Sequence, residues 1–167
     1  MKYLTYDDFI NKITNWMEST KYFKNWSLPR IFFPEVGWDD IQHIEIHGFC
    51  DASMDGYGTV VYFRIRRQDK YHVSFVTAKG RASPVQRVTL PRLELLSALL
   101  CARLVNTIVN ELELSKKSYQ CFYWTDSMVA WHWIKSDPYT LNMWVSNRVS
   151  AIQLISDPSS WYHCPGT

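Results

Sequence analysis

Apolar side chains near the start of the chain recur at helical spacing. Phe9, Ile10, Ile13, Trp16 and Met17 fall on one side of the stretch from Tyr6 to Glu18, with Thr5 and Asp8 in capping-box positions. An amphipathic helix is predicted there. From Lys21 to Asp40 the period is lost, Pro29, Pro34 and Gly37 interrupt the chain, and an irregular connector packed on the body is expected. At Ile44 the period becomes two: Ile44, Ile46, Gly48 and Cys50 share one face of a strand that ends near Asp51. A second strand is expected from about Gly58 to Arg66 and a third from about Tyr71 to Ala78, with turns at Asp55-Gly56 and Gln68-Asp69, which makes an antiparallel meander. A loop carrying Gly80, Ser83 and Pro84 leads to Pro91, well placed in the first turn of a helix running to about Leu114. Tyr119 to Thr125 reads as a further strand, with Gln120, Phe122, Trp124 and Asp126 on one side. Short and longer helices follow at Ser127 to Lys135 and Thr140 to Ile155, and a last strand at Ser160 to Cys164. The order βββαβααβ predicts an α/β fold, a mixed five-stranded sheet with helices on its faces.

Three acids break this pattern. On the helix from Pro91, the positions Ala98, Cys101, Val105, Ile108 and Leu112 form the stripe that should face the sheet, and at about 100° per residue Glu94 belongs to it. A carboxylate on that face is costly without a cation. Taken alone, a first-turn Glu is explained by the positive end of the helix. Asp51 and Asp126 end two strands, where each can equally cap a turn. If those strands are neighbours, Asp51, Glu94 and Asp126 converge, and a hard divalent cation such as Mg²⁺ is the natural complement.

Composition narrows the class. A chain of 167 residues with 47% hydrophobic and 20% charged positions fits one domain with a core of its own and is not a disordered tail. The net charge of +2 hides a segregation: residues 64–103 carry +7, while 1–63 carry −4 and 104–167 carry −1. The central positive field, which includes Arg64, Arg66, Arg67, Lys70, Lys79, Arg81, Arg87, Arg92 and Arg103, suits a polyanion, although charged strand edges account equally well for Arg64 to Lys70. Cys50, Cys101, Cys121 and Cys164 lack metal-binding spacing and read as small buried hydrophobes of a reducing compartment. No uninterrupted apolar stretch is long enough to span a bilayer, so an intracellular location with no membrane partner is expected; no feature indicates an oligomer. His43, His47, His72 and His132 read as surface residues.

The motifs in order resemble a known family. His47-Gly48-Phe49-Cys50-Asp51-Ala52-Ser53, Tyr57-Gly58, Leu90-Pro91-Arg92-Leu93-Glu94-Leu95 and Trp124-Thr125-Asp126-Ser127 are similar to the ribonuclease H (RNase H) region of BEL/Pao-type retrotransposon Pol polyproteins. The resemblance runs from about His43 to Gly166. Leu28-Pro29-Arg30 looks like the connector after the reverse transcriptase, so residues 1–42 are expected to be that segment and 43–167 the RNase H-like domain. The resemblance implies an endonuclease that hydrolyses the RNA strand of RNA/DNA hybrids, with Asp51, Glu94 and Asp126 as catalytic ligands of Mg²⁺ or Mn²⁺. Lys79, Arg81, Arg87 and Arg92 would contact phosphates. Ser53 and Ser127, beside two ligands, would aid orientation or substrate contact, or simply cap locally. Reverse transcriptase and the other Pol domains are the implied partners, in the cytoplasm or nucleus.

The family pattern also has a fourth carboxylate, and often a mobile His, after the last strand. This sequence ends at Cys164-Pro165-Gly166-Thr167, and His163, inside the strand, does not match that His. A chain ending there is expected to lack the last helix and to hydrolyse slowly. One alternative is an inactive RNase H-like scaffold or transposon relic that binds nucleic acid or a neighbouring polyprotein domain. An integrase is expected to have its helix Glu last, whereas Glu94 lies between two Asp. An aspartic protease is disfavoured because the sequence has no Asp-Thr-Gly or Asp-Ser-Gly.

Overall fold

The structure, a computed structural model, describes residues 6–21, 32, 33, 37, 40–67 and 70–166. The chain divides into two compact units, Met1–Ile31 and Phe32–Thr167. In the first, α1 (Tyr6–Thr20) leaves Ile10, Ile13 and Met17 exposed. The expected cap at Thr5, the side chains of Phe9 and Trp16, most of the connector and the Gln68-Asp69 turn lie outside the described residues.

The second unit is built on strands β1 (His43–Ala52), β2 (Gly56–Arg67), β3 (Lys70–Ala82), β4 (Ser118–Thr125) and β5 (Trp161–His163). They form one mixed five-stranded sheet in the order β3-β2-β1-β4-β5, with β1, β2 and β3 antiparallel and β4 parallel to both β1 and β5. The helices are α2 (Leu90–Glu111), α3 (Met128–Lys135) and α4 (Met143–Gln153). This is the expected α/β architecture.

Alternation along β1 sends Ile44, Ile46, Gly48 and Cys50 into the core. They meet Val61 and Phe63 of β2, Tyr123 of β4, and Ala98, Cys101, Ala102, Val105 and Ile108 of α2. Phe33, from the stretch read as a connector, and Ile41, just after it, are buried in the same core, and Phe32 packs edge-on against Phe63 at 5.2 Å. Gly48 is where α2 comes nearest: a Cβ there would stand 2.6 Å from Cys101 Sγ and 3.2 Å from Val105 Cγ2. Only a residue without a side chain allows that approach.

α2 is buried on more than the sheet side, since Leu93, Leu95, Leu99 and Leu100 are covered as well. By length and mean hydropathy (1.4) this helix matches a bilayer-crossing segment that no uninterrupted apolar run announced, yet 67% of its apolar window is buried inside the fold. It is a core helix. It stops earlier than its periodicity predicts, because Glu113 turns to φ 49° and a short 3₁₀ turn, Leu114–Lys116, follows. α4 likewise starts late: Pro138–Thr140 forms a 3₁₀ turn, and the Asn142 side chain then accepts from the Val145 amide at 3.1 Å as its cap.

The opposite face of the sheet carries an aromatic row. Phe75, Tyr62, Phe49, Trp124 and Tyr162 come from β3, β2, β1, β4 and β5, with neighbouring ring centroids 5.1–6.2 Å apart. His47 joins it, stacked on Phe122 at 4.8 Å, bonded to Glu45 and accepting from the Trp124 indole. It is therefore half-buried, not the surface residue its polarity suggested. Among the cysteines, Cys50 and Cys101 are buried, Cys121 is intermediate and Cys164 is exposed. The last departs from the buried role expected for all four, because it lies just past β5.

Candidate metal centre and basic surface

Parallel pairing of β1 with β4 sets Cys50 opposite Thr125. Asp51 and Asp126, each one residue further along, therefore emerge side by side. α2 supplies the third acid. Because the helix begins at Leu90, Glu94 lies beyond its first turn, where the helix terminus no longer explains a carboxylate. Ligand oxygens of Asp51, Glu94 and Asp126 all lie within 4.8 Å of one another.

The three acids have different surroundings. Asp51 and Asp126 are exposed, whereas Glu94 is only 7% exposed. Asp51 Oδ1 accepts from the Ala52 amide at 2.7 Å. Glu94 Oε2 is buried and has no hydrogen-bond partner among the described residues. Burial, then the charges of Asp126 and Asp51, push the Glu94 carboxyl up to about 7, against a smaller pull from a backbone hydrogen bond at Ala52. An orphaned buried oxygen beside two more carboxylates is a donor set made only of oxygen, which fits a hard divalent cation.

The two serines beside this trio have local partners. Ser127 caps α3, its Oγ accepting from the Ala130 amide at 3.2 Å. Ser53 sits in the β1–β2 turn, where its Oγ accepts from the Asp55 amide at 3.3 Å and its own amide donates to the Gly56 carbonyl at 2.8 Å. On the far side of Asp126, His163 Nε2 lies 3.0 Å from the Asp126 carbonyl oxygen, and the Cys164 amide donates to Thr125 O at 2.9 Å. No local pattern signals these contacts, since they depend on the parallel β4–β5 register.

The basic residues go to separate places. β3 extends to Ala82, so Lys79 and Arg81 lie on the strand and not in the loop that was expected to follow Ala78. They line a cavity together with Arg103 of α2. Arg87 borders a different hollow with Asp55 and Ser83. The Arg92 guanidinium lies over the Trp144 ring at 4.9 Å, with Arg148 over the same ring at 3.8 Å. Arg64 pairs with Glu45 and lies over Tyr71 at 4.5 Å.

A sheet in the order β3-β2-β1-β4-β5, with three carboxylates gathered where β1 and β4 end beneath the start of α2, defines an RNase H-like domain. Among curated proteins, none matches the sequence. The family model described as Pao retrotransposon-like RNaseH-like domain matches residues 3–127, about three quarters of the chain, and the chain belongs to that family. Similar solved structures include the N-terminal RNase H domain of a Mycobacterium tuberculosis protein, fused to maltose-binding protein (9% identity, 74% of this chain and 82% of that one, TM-score 0.45). LC11-RNase H1 in complex with an RNA/DNA hybrid is 12% identical over 73% of this chain and 85% of that one, with TM-score 0.45. The foamy viral protease-reverse transcriptase, also with an RNA/DNA hybrid, is 12% identical and is matched over 92% of this chain and 24% of its own, with TM-score 0.45.

Proposed function

We propose that this domain is a metal-dependent endonuclease that hydrolyses the RNA strand of RNA/DNA hybrids during reverse transcription, as part of a Pol polyprotein. The observation that carries the reading is the trio itself: three carboxylates from three elements within 4.8 Å, one of them buried with an unpartnered oxygen. Such a cluster is self-repelling in the absence of a cation. Asp51, Glu94 and Asp126 would hold Mg²⁺, with Mn²⁺ able to replace it. When bound, the ion supplies activation of water and stabilisation of the leaving oxygen.

The protein's own groups have distinct tasks in this reading. The Ala52 amide fixes one oxygen of Asp51, and the apolar surround of Glu94 holds the third carboxylate rigidly below. Asp51 and Asp126, both open to solvent, face the approaching phosphodiester. Lys79, Arg81, Arg87 and Arg92 contact backbone phosphates, and RNA is distinguished from DNA through its 2′-hydroxyl. Ser53 and Ser127 act chiefly by holding the turns on which Asp51 and Asp126 sit. Residues 1–42 are the segment after the reverse transcriptase, and the place of action is the cytoplasm or nucleus.

The test is cleavage of an end-labelled RNA/DNA hybrid in Mg²⁺, in EDTA, and by Asp126→Asn. Metal-dependent internal cuts in the RNA strand, lost in Asp126→Asn, support the reading. Cutting that persists in EDTA or in Asp126→Asn overturns it. Binding of the hybrid without any cutting leaves a non-catalytic scaffold.

A further inference from the structure

Two of the three acids are held by their immediate surroundings: Asp51 Oδ1 accepts from the Ala52 amide at 2.7 Å, and Glu94 is buried. Asp126 is exposed, and its carboxylate has no hydrogen-bond partner among the described residues. Its position is therefore set through the main chain. There the Ser127 amide donates to Thr125 Oγ1 at 3.2 Å, while the Ala130 and Trp131 amides go to Ser127 Oγ and Ser127 O. The first turn of α3 thus passes over the Asp126 carbonyl, which lies just outside the helix. His163 supplies a donor instead, its Nε2 standing 3.0 Å from that oxygen although the two residues are 37 positions apart. A carbonyl only accepts, so Nε2 carries the proton, as it does in the imidazolium and in one neutral tautomer alike.

β5 holds the imidazole in place. Thr125 and His163 are register partners, and the Cys164 amide donates to Thr125 O at 2.9 Å. Trp161, two residues before His163, is fully buried, stacks on Tyr123 at 4.7 Å and accepts from the Trp131 indole through its carbonyl at 3.0 Å. Past Cys164 the chain stays beside the acid, since a Cβ at Gly166 would stand 3.4 Å from Asp126 Oδ2. Water would satisfy an exposed carbonyl equally well. What a side chain anchored on another strand adds is direction, because it fixes the peptide plane that follows the Asp126 Cα.

We propose that His163 is the positioning residue of Asp126, holding the main chain from which that carboxylate reaches the trio. It acts through the Asp126 peptide and touches neither cation nor substrate. The standing of Asp126 as a metal ligand rests on the reading proposed above.

The experiment measures Mn²⁺ affinity of residues 1–167 by isothermal titration, and follows the ¹³C resonances of the Asp126 carbonyl and carboxylate in metal-free protein at fixed pH. His163→Ala should weaken Mn²⁺ binding about 10–100-fold, the usual cost of removing a group that orients a ligand. It should also shift both Asp126 resonances and leave those of Asp51 in place. His163→Gln sets an amide donor at similar reach and should restore most of the affinity. Tyr162→Ala trims the other face of β5 and keeps the bond, so it should bind as the wild type does. Wild-type affinity in His163→Ala, or no recovery in His163→Gln, overturns the proposal. So does an equal loss in Tyr162→Ala, which would trace the effect to a loosened strand. A wild type that binds no Mn²⁺ ends the metal reading, and the resonances then decide the positioning by themselves: a shift in His163→Ala that His163→Gln reverses upholds it, and no shift overturns it.

Discussion

Cys50 of β1 stands opposite Thr125 of β4 in a parallel ladder, and this one pairing makes neighbours of Asp51 and Asp126. The same end of β1 receives α2, which is brought close by Gly48 and sets Glu94 beneath the two exposed acids.

If the trio holds a divalent cation, Asp51→Asn and Asp126→Asn should each weaken Mg²⁺ or Mn²⁺ binding more than about 100-fold. Even groups one step removed from a metal commonly cost about 10–100-fold. Isothermal titration of each variant with Mn²⁺ checks this. Binding equal to wild type in either variant removes that residue from the site.

Stability should fall with rising pH through Glu94. Its folded value, about 7, lies above the ordinary 4.5, so between those limits the folded state holds the proton more tightly. The stabilisation is complete below about 4.5 and is lost as pH rises through about 7. In EDTA, the part of the Tm decline between pH 5 and 8 that Glu94 causes should vanish in Glu94→Gln, and Mg²⁺ should raise the wild-type Tm more at pH 8 than at pH 5. An identical pH profile for the two proteins would count against the buried, strained carboxylate.

Gly48→Ala should destabilise the domain by about 1–3 kcal/mol, the usual cost of overpacking a filled core. The new Cβ meets the Cys101 sulfur at 2.6 Å. Removing that sulfur in Gly48→Ala/Cys101→Ala should recover part of the loss, a coupling that urea denaturation of the four proteins measures. Additive losses would place the strain elsewhere.

Arg92→Ala should cost about 0.5–2 kcal/mol of stability, because its guanidinium lies over Trp144 and ties the start of α2 to α4. Lys79→Ala, at an exposed strand position, should change stability by less than about 0.5 kcal/mol. Urea midpoints of the two variants separate a basic residue built into the fold from one that faces solvent.

Much of this protein was legible from periodicity and spacing. The alternation from Ile44 to Cys50, the turn at Asp55-Gly56 and Pro91 before a long apolar stripe follow from local sterics and from which face each residue presents, and they specify the elements and their order. The inward position of Glu94 was readable for the same reason, as 100° per residue is a property of any helix. The tertiary structure decided what those faces meet. Strand register put Asp51 beside Asp126, and the approach over Gly48 placed Glu94 under both. Basic residues close in sequence separated: Lys79 and Arg81 joined a distant Arg103, while Arg92 went to Trp144. His47 entered an aromatic row whose members come from five strands. Local preference extends over a turn or a strand, whereas the burial and repulsion that raise Glu94 and the shared cavity of three cations arise between groups up to 43 residues apart along the sequence, and only the folded register brings them together.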